Sequence, residues 1–149
     1  MSGELRDLYQ EVIFDHYKRP RNQHALADPS HRAEGHNPLC GDRVTIYLKV
    51  EDGVVRDVAF EGAGCAIATA SASLMTETLK GRTLDEVNAL FRGFHDMVTE
   101  ARTEEPPGLG KLEVLAGVRE FPARVKCATL AWHTLNAALA KRQQPVSTE

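Results

Sequence analysis

Three cysteines, Cys40, Cys65 and Cys127, are the residues of this chain best suited to chemistry, and Asp42 lies two residues after the first of them. An odd number of thiols with long gaps between them is poor material for a disulfide framework. Three thiolates and one carboxylate instead make a ligand set that suits tetrahedral Zn²⁺. We therefore predict a zinc site made of Cys40, Asp42, Cys65 and Cys127. The alternative is that each thiol is an ordinary buried side chain, the commonest role of a single cysteine.

A β-hairpin is predicted between the first two cysteines. Apolar residues alternate with polar ones over residues 44–50, and an extended pattern resumes over residues 54–60. The turn between them contains Asp-Gly, which supplies the positive φ angles of a tight hairpin. Two strands of similar length return the chain to its starting point, so Cys40 and Cys65 are expected to be neighbours.

Helices are predicted on both sides of the hairpin. The helical patterns cover residues 4–18, 66–79, 84–98, 111–118 and 121–141. Thr83 to Glu86 is a capping box that opens the third of them. Residues 19–41 read as an irregular segment, rich in turn-forming residues, that could supply a third strand over 33–39.

Two of the predicted helices would place polar or charged groups next to cysteines: backbone N–H groups at Cys65 and the Arg124 guanidinium near Cys127. Cys65 stands at the N-terminus of helix 66–79, where free backbone N–H groups favour a thiolate. Arg124 lies three residues before Cys127 and so shares its helix face, whereas Lys126 is displaced by about 100° around the axis. The guanidinium would offset the negative charge of a thiolate-rich zinc site and could orient Asp42.

Composition excludes several classes of protein. The chain has 149 residues, a formal net charge of −3 and 42% hydrophobic residues. We expect one domain, 1–149, with an exposed loop at 103–110 and a frayed tail at 143–149. The charge gives no general attraction to nucleic acid or anionic lipid. The N-terminal residues lack the pattern of an export signal, so a cytoplasmic protein is expected.

Three segments carry a resemblance to a known family. Leu8 to Tyr17, Asn37 to Asp42 and Gly62 to Ile67 closely resemble the U-type family of iron–sulfur cluster assembly, the IscU/SufU or NifU N-terminal-like family. Within it the chain looks like the SufU branch, because Lys126 stands where the IscU branch carries a histidine. The segment at approximately 94–121 also looks like the insertion that distinguishes SufU.

The resemblance implies an α+β fold, in which a small antiparallel sheet packs against several helices and the zinc site lies at one end. It also implies partners: a SufS-type, PLP-dependent cysteine desulfurase that supplies persulfide sulfur, and downstream iron–sulfur scaffold proteins.

Our first hypothesis is a zinc-dependent sulfurtransferase. Docking of the desulfurase would free Cys40, whose thiolate then attacks the persulfide sulfur, with Arg124 assisting by holding Asp42. Cys40 is favoured as the acceptor because it lies on the irregular loop. The alternative is a scaffold for a transient [2Fe-2S] cluster on the three cysteines, with Asp42 or an outside ligand. A third interpretation is that the zinc is purely structural.

Overall fold

The computed structural model describes residues 3–38, 41–99, 109–141 and 146–147. Its centre is a four-stranded sheet in the order β3-β2-β1-β4. The strands are β1 (His31–Asn37), β2 (Asp42–Glu51), β3 (Val54–Ala63) and β4 (Val146–Ser147). The first three are antiparallel, and β4 runs parallel to β1. The predicted α+β class with a small antiparallel sheet is therefore confirmed.

The predicted hairpin forms β2 and β3. Its turn residues Asp52 and Gly53 have φ values of 52° and 72°, the left-handed conformation that a tight two-residue turn requires. Tyr47 of β2 donates a hydrogen bond of 2.6 Å to Glu61 of β3 across the hairpin. The backbone pairing of β2 with β3 places Arg43 opposite Ala63. The hairpin therefore returns the chain from Asp42 to the residue before Cys65.

Strand β1 corrects the prediction of an irregular segment over 19–41. Residues 31–37 pair antiparallel with β2, two residues earlier than the third strand considered over 33–39. The segment lacks the β-branched residues that mark most strands, but Ala33, Gly35 and Asn37 alternate inward and are buried. Pairing with β2 supplies the stability that intrinsic propensity does not.

The helices are α1 (Gly3–Lys18), α2 (Ala66–Leu79), α3 (Leu84–Thr99) and α4 (Pro122–Leu139). The capping box before α3 is confirmed: the Thr83 N–H donates to Glu86 Oε1 at 3.0 Å, and the Glu86 N–H donates to Thr83 Oγ1 at 3.2 Å. The predicted helix over 111–118 is a 3-10 helix, Gly110–Glu120. Most of the loop predicted at 103–110 lies outside the described residues.

Helix α4 packs across β1 and β2 and also against α2. Gly35 of β1 makes the close approach possible, since a Cβ there would clash with Thr134 Oγ1. On the far side of α4, Trp132 is fully buried and stacks on Phe94 of α3 with ring centroids 4.6 Å apart. This packing carries the N-terminal end of α4, and with it Cys127, to the end of the sheet where β2 begins.

Two further findings bear on the sequence predictions. Within the tail 143–149, Val146 and Ser147 pair in parallel with Gly35 and His36 at the edge of the sheet. Within the described part of the chain, no helix is both long and apolar enough to cross a bilayer.

Candidate metal centre

Three of the four predicted ligands meet at one end of the sheet. Asp42 begins β2, Cys65 directly precedes α2, and Cys127 lies in the second turn of α4. One ligand atom from each lies within 4.8 Å of the others. Cys40 lies outside the described residues. Among the residues that the structure describes, this is the one group of three or more such side chains close enough to share a metal ion.

Asp42 is the most enclosed member of the group, with 1% of its surface exposed. Its Oδ1 accepts a hydrogen bond of 2.8 Å from the Cys65 N–H, and its Oδ2 lies 3.6 Å from Cys65 Sγ. Gly64 lies against this carboxylate, since a Cβ there would approach Oδ1 to 3.0 Å. Asp42 thus joins the start of β2 to the start of α2 while one of its oxygens faces the thiol.

Cys65 is the N-cap residue of α2, as the sequence predicted. It has extended backbone angles, and its Sγ accepts a hydrogen bond of 3.4 Å from the Ala68 N–H. The Cys65 sulfur takes the place of the usual N-cap oxygen and accepts a backbone N–H that has no partner within the helix. The start of α2 therefore directs a backbone N–H donor at this sulfur.

Cys127 is buried and has a neighbour that the sequence analysis missed. The Asn37 side-chain amide donates a long hydrogen bond to Cys127 Sγ, with N and S 4.0 Å apart. Asn37 is 1% exposed, ends β1, and stands opposite Asp42 in the strand register. The signal was present, because Asn37 opens the turn that leads to Cys40 and Asp42. Its backbone oxygen accepts the Gly41 N–H at 2.9 Å.

Arg124 lies at the mouth of the group, on the exposed start of α4. Its guanidinium carbon stacks over the Phe121 ring at 4.4 Å from the centroid. An open cleft of about 530 Å³ connects the cysteines with solvent and is lined by Asn37, Cys65, Ala66, Ile67, Ala123, Arg124 and Cys127. Lys126 is not among the described residues that line it. Arg124 thus lines the cleft and Lys126 does not, and this is the physical basis for predicting a larger role for Arg124.

The histidines take no part in the group of Asp42, Cys65 and Cys127. His16 is fully buried, and its Nδ1 lies 2.7 Å from Ser73 Oγ. Burial, followed by the charges of Arg21 and Lys111, lowers its pKa to about 4. His95 and His133 contact each other with ring centroids 5.8 Å apart, between α3 and α4. These three histidines pack against neighbouring side chains, away from the group of Asp42, Cys65 and Cys127.

The donor set fits Zn²⁺. Two sulfurs and a carboxylate oxygen are ligands that Zn²⁺ accepts, and a third thiolate as the fourth ligand would complete a tetrahedron. Cys40, which precedes Asp42 by two residues in the sequence, is the fourth ligand that the sequence analysis predicts. The Cys65 N–H donates to Asp42 and the Asn37 amide donates to Cys127. Hydrogen bonds of this kind orient the ligands at metal sites.

Comparisons with known proteins agree with this architecture. The chain is 42% identical over 95% of its length to the zinc-dependent sulfurtransferase SufU of Bacillus subtilis, covering 96% of that protein. It is 42% identical to the iron–sulfur cluster assembly scaffold protein IscU of Thermotoga maritima, over 93% of this chain and 96% of the other.

Solved structures show the same fold. A crystal structure of a putative iron–sulfur cluster assembly scaffold protein for the SUF system from Fervidobacterium islandicum has a TM-score of 0.82 and 34% identity, covering 90% of this chain and 98% of that one. The N-terminal part of a NifU-like protein from Brucella abortus has a TM-score of 0.83 and 31% identity, covering 92% and 95%. Residues 8–147 match the family described as the NifU-like N terminal domain, and the chain belongs to that family.

Proposed function

We propose that this chain is a zinc-dependent sulfurtransferase that accepts sulfur from the persulfide of a SufS-type cysteine desulfurase and passes it to iron–sulfur cluster assembly in the cytoplasm. The observation that carries the proposal is the meeting of Asp42, Cys65 and Cys127, of which the two cysteines line an open cleft. The similarity to a relative named as a zinc-dependent sulfurtransferase supports it.

Asp42, Cys65 and Cys127 would hold the zinc together with Cys40. When bound, Zn²⁺ would keep the thiols deprotonated and link the separate segments of the chain that carry them. The chain's own residues do the rest: Asp42 Oδ1 anchors the Cys65 backbone, and the Asn37 amide lies beside Cys127. Because the other ligands are held in this way, we expect Cys40, which lies between β1 and β2 in the sequence, to be the ligand that leaves to react.

The transfer step moves one neutral sulfur atom between two cysteines. The Cys40 thiolate attacks the outer sulfur of the donor's persulfide, so a new S–S bond forms on Cys40 while the donor's S–S bond breaks. The electron pair of the broken bond leaves with the donor's cysteine sulfur, and the proton stays on the transferred sulfur. Arg124, at the mouth of the cleft, would pair with the Asp42 carboxylate during this step.

The test combines a turnover assay with metal analysis of the same sample. A cysteine desulfurase should release alanine faster when the wild-type protein is added, and the protein should contain one zinc per chain. Cys40→Ala should abolish the stimulation while binding to the desulfurase persists. Persulfide found by mass spectrometry only on Cys65 or Cys127 would refute Cys40 as the acceptor.

Removing the metal tests whether the centre is coupled to folding. Binding free energies at thiolate zinc sites are on the order of 10 kcal/mol. Because zinc binds the folded chain and not the unfolded one, this free energy stabilises the fold. Chelation should therefore lower the melting temperature strongly. A metal-free sample with the melting temperature of the zinc-loaded one would contradict the ligand set. A purely structural zinc would be indicated if refolded Cys40→Ala stimulated the desulfurase normally.

A second candidate function is a scaffold for a transient [2Fe-2S] cluster. The observation in its favour is the similarity to relatives named as IscU scaffold proteins, including one of 40% identity from Streptococcus pyogenes. Colour and metal content of the purified protein separate the two functions. A colourless protein with tightly held zinc supports transfer, and a brown protein with iron and labile sulfide supports the scaffold.

A further inference from the structure

An apolar groove lies beside the cleft of the metal centre. It has a volume of about 600 Å³ and runs between α1, the start of α2 and the 3-10 helix. The side chains that define it are Tyr9, Ile13, Phe14, Ile67, Val118 and Phe121. Phe14 is 56% exposed and Phe121 is 47% exposed. Large aromatic side chains left this open around a groove are typical of a surface that another protein covers.

The groove and the cleft are continuous. Ala66, Ile67 and Arg124 line both of them. Ala66 is the first residue of α2 and follows Cys65 directly, so the inner end of the groove lies next to that sulfur. A molecule seated in the groove would therefore reach the cysteines without leaving the surface.

The rim of the groove is basic although the chain as a whole is acidic. Among the described residues that line it, Arg119 and Arg124 are exposed and Glu120 is the one acidic residue. The two exposed aromatic residues of the groove also have a cation over the ring: Lys18 lies 4.7 Å from the Phe14 centroid, and Arg124 lies 4.4 Å from that of Phe121. The formal net charge of the chain is −3. The groove thus suits an apolar segment that carries a carboxylate.

We propose, on the basis of the proposed sulfurtransferase function, that the groove receives the segment of the sulfur donor that bears the persulfide. One apolar side chain of that segment enters between Phe14 and Phe121, and an adjacent carboxylate pairs with Arg119. This occupant is favoured over a second copy of the chain, because a donor in the groove places its own sulfur in the cleft, whereas a second copy would cover the cleft and block it.

The test measures alanine release by a SufS-type desulfurase against the concentration of the zinc-loaded protein. Phe14→Ser should raise the apparent KM by about tenfold or more, the effect expected of a central aromatic contact, with zinc content and maximal stimulation unchanged. Arg119→Glu should raise KM and reduce its dependence on salt, since the lost contact is between charges. Equilibrium binding to the persulfidated desulfurase is measured in parallel.

Matched controls lie outside the groove. Tyr17 is on the same helix as Phe14 and is 42% exposed, so Tyr17→Ser should keep the wild-type KM. Arg56 is exposed on β3, so Arg56→Glu should keep both KM and its salt dependence. A Phe14→Ser variant with the KM and affinity of Tyr17→Ser overturns the groove as the donor's site. If that variant instead loses only self-association in sedimentation, the occupant is a second copy and the inference is overturned.

The two proposals fail differently. A wild-type protein that binds the desulfurase through Phe14 without stimulating it would refute the sulfurtransferase and support the docking site. A wild-type protein that stimulates, together with a Phe14→Ser variant that binds and stimulates equally well, would refute the docking site alone. Absence of both binding and stimulation would refute both.

Discussion

Replacing Gly64 with alanine should weaken the metal centre, because a Cβ has too little room beside Asp42. It would lie 3.0 Å from Asp42 Oδ1 and 3.3 Å from the Cβ of Ala68, whereas atoms in favourable contact are about 3.5–4.0 Å apart. Asp42 is 1% exposed, so its carboxylate has no open solvent into which to move. The displacement must reach either the Asp42 hydrogen bond to Cys65 or the first turn of α2.

The expected size follows from two opposing terms. Overpacking by one methyl group costs about 1–3 kcal/mol, and the stiffer unfolded chain of an alanine variant offsets about 0.4–1 kcal/mol of this. We expect a net loss of about 1–2 kcal/mol in the free energy of unfolding. Because the displaced group is a predicted ligand, zinc affinity should fall by about tenfold, as for disturbed outer contacts at metal sites.

The assay is urea unfolding followed by the fluorescence of Trp132, together with competition for zinc against a chromophoric chelator. Gly117→Ala is the matched control, since a Cβ at Gly117 meets nothing within 4 Å and its backbone needs no left-handed angle. This control should keep wild-type zinc affinity and equal or slightly higher stability. If Gly64→Ala behaves like Gly117→Ala in both measurements, the steric argument is refuted.

Three further predictions concern the loss of stability at low pH, the Asp42 carboxylate, and the side chains of Arg124 and Lys126. Burial of His16 lowers its pKa from 6.5 to about 4, so its contribution to stability is complete above pH 6.5 and is lost as the pH falls through 4. The loss is up to about 3 kcal/mol, and His16→Asn should show a correspondingly smaller fall in urea titrations between pH 7 and 4. Asp42→Ala should release zinc faster to a chelator, and an unchanged rate would remove Asp42 from the ligand set. Arg124→Ala should reduce desulfurase stimulation more than Lys126→Ala does; equal, small losses with unchanged zinc content would contradict a role for Arg124.

Local chemistry made the hairpin and the helix starts predictable. Asp52 and Gly53 specify a turn by their backbone preferences, and Thr83 with Glu86 specifies a helix start by paired hydrogen bonds. These signals act over a few residues, so the sequence displays them directly. The position of Cys65 at the start of α2 followed from the same kind of information.

Long-range packing accounts for what the sequence did not reveal. Strand β1 depends on its pairing with β2, and the side chains around Gly35 carry little intrinsic preference for a strand. Helical pattern alone also did not distinguish the 3-10 helix at Gly110–Glu120 from an α-helix. The approach of Cys127 to Cys65 rests on α4 packing across the sheet. Ligand chemistry predicted that approach, but only the packed structure places Asn37 next to Cys127.

The two oxygens of Asp42 are not equivalent, and this difference restricts how the carboxylate can bind a cation. Oδ1 accepts the Cys65 N–H at 2.8 Å, whereas Oδ2 faces Cys65 Sγ at 3.6 Å. A cation that takes one carboxylate oxygen leaves the start of α2 intact. Ca²⁺, which often takes both oxygens of a carboxylate, would also draw on Oδ1 and compete with the hydrogen bond that holds the start of α2. At this predicted centre, a cation bound through Oδ2 alone should therefore disturb the start of α2 less than a cation that takes both oxygens.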